Sequence, residues 1–146
     1  MDLVYRTVML TQGGRGGQVQ SEDGSFRLRL AAPASMGGKG DGPNPEQLFA
    51  GAFAACFEHS VRHIARLDKL PLRGCYTEAE LSMYVSFEGA YRLALTLKVF
   101  LAGSLDQATA DDLTERAKAI CPYAEATKTN MTLNVRAILD PAPAAA

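Results

Sequence analysis

The side chains here best suited to chemistry are three cysteines, Cys56, Cys75 and Cys121, an arginine among glycines, Arg15, and two histidines, His59 and His63. A thiol attacks as its thiolate, and a fixed cation beside it lowers its pKa from about 8.5. Arg15 can supply that cation, because the tight turns of GlyGlyArgGlyGly, residues 13–17, can present its guanidinium inward. Each of these residues also has a plainer reading. A cysteine midway along an apolar helix, like Cys56, commonly serves as a small hydrophobe. Cys121, before Pro122 at a helix end, is either an exposed thiol or packing, and Arg15 can simply be exposed on a hairpin tip. His59 follows Cys56 by three residues and precedes His63 by four, spacings that permit a base for cysteine hydrolase or acyltransferase chemistry, or a pair of metal ligands. No third residue to orient the base and no second cluster to complete a metal site is evident, so no metal is expected.

Composition narrows the classes. The chain has 146 residues, 47% of them hydrophobic, enough for the core of one domain. Its 15 basic and 16 acidic residues are scattered with no basic run to follow a phosphate backbone, so nucleic acid is not an expected partner. No window approaches the roughly 20 apolar residues that cross a bilayer, and the first residues lack the basic start and long apolar run of a signal peptide. A cytoplasmic protein without membrane attachment is the expectation. The cysteines contain no CxxC pair, which argues against a zinc knuckle or a secreted disulfide framework.

The elements that must position these residues are readable from pattern. Leu3 to Leu10 is β-prone and ends at the glycine-rich turn, which predicts an N-terminal hairpin; Ser25 to Leu30 alternates with a period of two after the AspGly turn at 23 and 24. Residues 33–45 are rich in Gly and Pro and predict an irregular surface loop. Asn44 as N-cap, Pro45 at the first helical position and Glu46 in the first turn start a helix predicted to run to about Leu70, with Phe49, Phe53, Cys56, Ser60 and Ile64 on one stripe. The small residues Ala50, Gly51, Ala52, Ala54 and Ala55 make that stretch a packing surface. Two strands, Cys75 to Ser86 and Arg92 to Leu101, follow with Glu88 and Gly89 between them. A second helix from Asp106 to Ile120 has Ser104 as a possible cap and Leu113, Ala117 and Ile120 on one face. Thr132 to Leu139 reads as a last strand. The expected fold is α+β, a mostly antiparallel sheet with a long central helix and a second helix on one face. A single domain should cover residues 1–140, with 141–146 a flexible tail.

Three segments stand in order along the chain: GlyGlyArgGlyGly, AsnProGluGlnLeuPheAlaGlyAlaPheAlaAlaCysPhe and CysProTyrAlaGluAlaThr. Together they resemble the organic hydroperoxide resistance proteins, the Ohr branch of the OsmC/Ohr superfamily, over essentially the whole chain from Tyr5 to Ile138. The resemblance implies an intertwined homodimer with active sites at the interface. It implies that Cys56 is the peroxidatic cysteine, Cys121 the resolving cysteine, Arg15 the active-site arginine and Glu46 its carboxylate partner. The SerMetGlyGly region looks like the family's glycine-rich loop, which makes Gly37 and Gly38 substrate-binding candidates. The resemblance further implies a thiol peroxidase acting on alkyl or lipid hydroperoxides, with no bound cofactor and an external dithiol reductant of lipoyl type, such as a lipoylated protein. GluHis at 58 and 59 departs from the small or neutral residues expected after the CysPhe pair, and Cys75 matches nothing in the motif and reads as a structural thiol.

On this reading a Cys56 thiolate cleaves the peroxide O–O bond, and condensation of the sulfenic acid with Cys121 halts oxidation at a reversible step. The planar fork of Arg15, held by Glu46, serves the thiolate and the peroxide oxygens. Ten positions separate Glu46 from Cys56, about 15 Å along a straight helix. The Arg15 and Glu46 that face a given Cys56 are therefore expected from the partner subunit, unless the helix breaks near Gly51. Phe49 and Phe53 are either the lining of a pocket for alkyl or lipid chains or ordinary core. A redox-sensing or ligand-binding dimer without turnover is the non-enzymatic alternative.

Overall fold

The computed structural model describes residues 1–140. The tail expected at 141–146 lies outside the described residues. Within them are two compact units, residues 1–48 and residues 49 onward.

The first unit is an antiparallel meander of β1 (Met9–Gln12), β2 (Gln18–Ser21) and β3 (Arg27–Arg29), in that order in the sheet. The β1–β2 hairpin pairs Gln12 with Gln18 and closes through a short 3-10 turn at Gly14–Gly16. Strand β1 begins later than its β-prone sequence suggests. Leu3, Val4 and Tyr5 are 82%, 95% and 78% exposed, and intrinsic strand preference has no effect without a neighbouring strand to pair with. The β2–β3 turn is fixed by Asp23, whose carboxylate accepts from the Ser21 and Ser25 hydroxyls and the Ser25 N–H. Those bonds hold its pKa down to about 2. After β3 the chain enters the glycine- and proline-rich loop, irregular as expected except for one 3-10 turn at Ala34–Met36.

A helix starts at the end of this unit and continues into the second. Helix α1 spans Pro45–Leu67 without interruption. Its start is a reciprocal capping box: the Gln47 N–H donates to the Asn44 side-chain oxygen and the Asn44 N–H donates to the Gln47 side-chain oxygen, each at 2.9 Å. It stops three residues before the expected Leu70. Lys69 takes a left-handed φ of 54°, the Leu70 N–H bonds the Ala65 carbonyl, and the Lys69 N–H bonds the Arg66 carbonyl. This is a Schellman stop with lysine where glycine is usual; Pro71, two residues on, is the stop signal the sequence carries, and it marks the end only approximately.

The second unit is built on a sheet of order β4–β5–β6, with β4 (Leu72–Val85) antiparallel to β5 (Tyr91–Gly103) and β6 (Thr132–Leu139) parallel to β5. The β4–β5 turn falls where expected, with Gly89 at φ 82°. Leu95, Leu97, Val99 and Leu101 of β5 alternate onto one face and are at most 1% exposed. Buried residues of α1, α2 (Gln107–Ile120) and α3 (Pro122–Thr127) share one cluster with them. Among the described residues the fold is α+β, with two mostly antiparallel sheets and three α-helices.

Both predicted helix stripes rotate slightly. In α1, Phe57 and Val61 join Phe53, Ser60 and Ile64 as buried residues, while Phe49 and Cys56 are half-buried. In α2, Ala110, Leu113, Thr114 and Ala117 are buried and Ile120 is 48% exposed. The cap of α2 is Asp106, which accepts from the Thr109 N–H at 2.8 Å; Ser104 does not cap it.

Candidate active site

Cys56 sits on α1, and Cys121 occupies the residue between α2 and α3. Pro122 sets this position. The residue before a proline is pushed away from helical ψ, and Cys121 adopts φ −69°, ψ 119°; Pro122 then starts α3 at a position where its missing N–H has no cost. The interruption turns the Cys121 side chain into the core, where it is 0% exposed. The sequence left an exposed thiol open here; the structure shows a buried one. Cys56 and Cys121 lie with their sulfurs 3.7 Å apart, and neither is in a disulfide.

Burial pushes the Cys56 thiol pKa up, and the neighbouring Cys121 thiol pushes it the same way. The backbone N–H of Tyr123, aimed at the Cys56 sulfur, favours the thiolate. No cation is among the groups acting on Cys56 within the described chain. Tyr123 also places its ring edge-on to Phe53, with centroids 5.8 Å apart, and Phe53 is tilted against Phe49 at 6.0 Å. Phe53 is completely buried and Phe49 partly so, which gives the former the core role and leaves the latter able to line a cavity. Tyr123 is the contributor that residue-by-residue reading missed, although it stands inside the CysProTyr segment.

Arg15 and Glu46 form a second pair, Nη1 to Oε2 at 2.6 Å, through one oxygen rather than the two-pronged contact the fork allows. The glycines around Arg15 have a backbone reason. Gly13 has φ 84°, and a Cβ on Gly17 would meet the Gln12 carbonyl oxygen at 1.8 Å, so the base of the turn closes only with glycine. Gly38 is equally constrained, since a Cβ there would lie 2.0 Å from the Ala32 carbonyl oxygen, and Gly37 ends the 3-10 turn at φ 78°. Helix α1 runs unbroken through Gly51, so about 15 Å of helical rise separates Glu46 from Cys56 along one chain.

The remaining candidates are placed elsewhere. His59 and His63 stack at 6.4 Å, and His63 Nδ1 faces the Arg66 guanidinium at 3.2 Å. Among the described residues no group of three His, Cys, Asp or Glu is arranged to hold a metal ion. Cys75 is buried on β4, and its thiol is pushed up to about 12, chiefly by burial.

Residues 38–136 match the family of OsmC-like proteins. The organic hydroperoxide resistance protein of Xanthomonas axonopodis is 34% identical over 137 residues, covering 91% of this chain and 94% of its own. The chain belongs to the OsmC family. Its solved relatives include an organic hydroperoxide resistance protein OsmC from Legionella pneumophila, at 37% identity and a TM-score of 0.89, covering 93% of this chain and 98% of that one. A second, from Vibrio cholerae, is a putative organic hydroperoxide resistance protein with captopril bound in one of its active sites. It shares 34% identity over 94% of each chain, with a TM-score of 0.88. The OsmC match contains Glu46, Cys56 and Cys121, while Arg15 precedes it. Among the described residues of this OsmC-family chain, no helix is long and apolar enough to cross a membrane.

Proposed function

We propose that the protein is a thiol peroxidase that reduces organic hydroperoxides to alcohols. The observation that supports this most directly is the 3.7 Å approach of the Cys56 and Cys121 sulfurs, one half-exposed and one fully buried, in a protein whose relatives are named for organic hydroperoxide resistance. Attack of the Cys56 thiolate on the terminal peroxide oxygen breaks the O–O bond. The sulfur becomes a sulfenic acid, and the departing alkoxide takes a proton to leave as the alcohol. The Cys121 thiol then displaces the sulfenic hydroxyl as water and forms the disulfide. A dithiol of lipoyl type, free or carried on a protein, restores both thiols and becomes a cyclic disulfide.

The thiolate and the alkoxide both need positive charge, which the groups acting on Cys56 within the chain do not provide. We assign that charge to the Arg15–Glu46 pair of a second copy in a homodimer, since α1 holds Glu46 of the same chain about 15 Å away along the helix. Such chemistry suits the reducing cytoplasm, where the disulfide is recycled rather than kept.

The test is consumption of tert-butyl or fatty-acid hydroperoxide, against hydrogen peroxide, with dihydrolipoamide as reductant and Cys56→Ser as control. Turnover of the organic peroxide that disappears in Cys56→Ser supports the reading. Stoichiometric oxidation without turnover on any dithiol would replace it with a redox-sensing or ligand-binding role.

A further inference from the structure

A cleft of about 230 Å³ at the C-terminal end of α1 is lined by Arg62, Ala65, Arg66, Lys69, Leu70 and Leu72. Three cations line it together with three apolar side chains, and among the described residues no carboxylate does. Arg62, Arg66 and Lys69 stand at i, i+4 and i+7, one stripe that α1 carries into its own C-cap. Two of these cations have local explanations. Arg62 pairs with Glu58 and donates to the Cys75 carbonyl on β4, and Arg66 suits the last helical turn, where the helix dipole favours positive charge. Lys69 has neither. It forms no ion pair among the described residues, and it lies past the helix at φ 54°, a left-handed backbone where glycine is the easier residue. Asp68, its neighbour in sequence, pairs instead with Arg116 and does not line the cleft.

We propose that this cleft is a binding site for a phosphate group, held by Arg66 and Lys69 with Arg62 adding to the positive field. Like charges one turn apart repel, and a left-handed lysine is held at a conformational cost; a dianion among the three offsets both. The donor set fits that ligand. A guanidinium fork gives paired N–H donors to two oxygens of a tetrahedral oxyanion, and the ammonium serves a third as a point charge. The volume is below the range of drug-sized sites, which fits a phosphate group with a small substituent, and Ala65, Leu70 and Leu72 suit an apolar one. Free phosphate and a small phosphomonoester share this chemistry. Arg66 lies ten residues beyond Cys56, about 15 Å of helical rise, so the site is separate from the thiol pair and independent of the peroxidase reading.

Calorimetric titration of the reduced protein with inorganic phosphate and with phenyl phosphate, in chloride buffer and without peroxide, tests this. Both should bind saturably. Tighter binding of phenyl phosphate would show a phosphomonoester site, and equal or tighter binding of inorganic phosphate a site for the free ion. Lys69→Gly combined with Arg66→Gln should weaken either probe about tenfold or more. Arg62 is left in place because it ties α1 to β4. Lys69→Gly alone should weaken phosphate about three- to fivefold while its urea midpoint stays at or above that of the wild type, since glycine relieves the left-handed backbone. Lost affinity in a protein no less stable separates a ligand role from a structural one, and Lys69→Arg, which keeps the charge, should retain most of the affinity. Absence of saturable phosphate binding by the wild type, or unchanged affinity in the double variant, overturns the site.

Discussion

The sulfurs of Cys56 and Cys121 lie 3.7 Å apart across α1 and the α2–α3 junction, with both thiols free. A disulfide needs about 2.05 Å, so closure asks for a small side-chain movement rather than rearrangement of either helix. One equivalent of organic hydroperoxide, added without reductant, should therefore remove two of the three free thiols, as counted by a chromogenic disulfide reagent. In Cys121→Ser the first turnover should proceed and further peroxide should carry Cys56 to sulfinic acid, seen as a gain of two oxygens by mass spectrometry. Two thiols lost in Cys75→Ser but not in Cys121→Ser would assign the pair correctly; the reverse result would reassign it.

Arg15 is predicted to supply charge to the Cys56 thiolate. Arg15→Ala should raise the Cys56 pKa, followed by thiolate absorbance in the ultraviolet, and lower kcat/KM by about 100-fold or more. Arg15→Lys should restore only part of the activity, because an ammonium lacks the planar fork. Glu46→Gln should cost less, since the Arg15–Glu46 pair is partly exposed at 44% and 23%. An unchanged Cys56 titration in Arg15→Ala would remove this arginine from the site.

Phe49 and Phe53 should separate in a stability measurement. Phe53→Ala removes a completely buried ring and should cost about 3–5 kcal/mol in urea unfolding. Phe49→Ala, at a half-buried position, should cost clearly less.

Cys75 should give the protein an alkaline limit. Its folded pKa is raised from 9.0 to about 12, so the unfolded chain loses this proton first as pH rises. The stability tied to the buried thiol is full below about pH 9 and declines progressively toward pH 12. Urea midpoints at pH 8 and pH 10.5 should fall more steeply for the wild type than for Cys75→Val, which has nothing to ionise. Parallel slopes would show that other groups govern alkaline unfolding.

Where sequence patterns are local, they agree with the structure. The capping of α1 by Asn44, the β4–β5 turn at Gly89 and the alternation of β6 all follow from residues a few positions apart. The differences arise where tertiary contacts decide. Leu3, Val4 and Tyr5 remain outside any strand because a strand needs a neighbour, and α1 ends at Leu67 because Lys69 accepts a left-handed backbone. The site divides similarly. The chemical residues were visible as types and by resemblance, but the proximity of Cys56 to Cys121 joins positions 65 residues apart, which no periodicity reports. The contribution of Tyr123 comes largely from its backbone N–H, and a backbone group leaves no mark in side-chain identity.

The complete burial of Cys121 has a regiochemical consequence. Thiol–disulfide exchange requires the incoming thiolate to approach in line with the bond it breaks, and the half-exposed Cys56 is the sulfur of the pair that solvent reaches. On the proposed peroxidase reading, the first reductant sulfur should therefore bond to Cys56 and expel Cys121 into the core as the leaving group. Electrons would then enter the protein through the same atom by which they later leave for the peroxide, with the hidden sulfur meeting no solution partner of either kind.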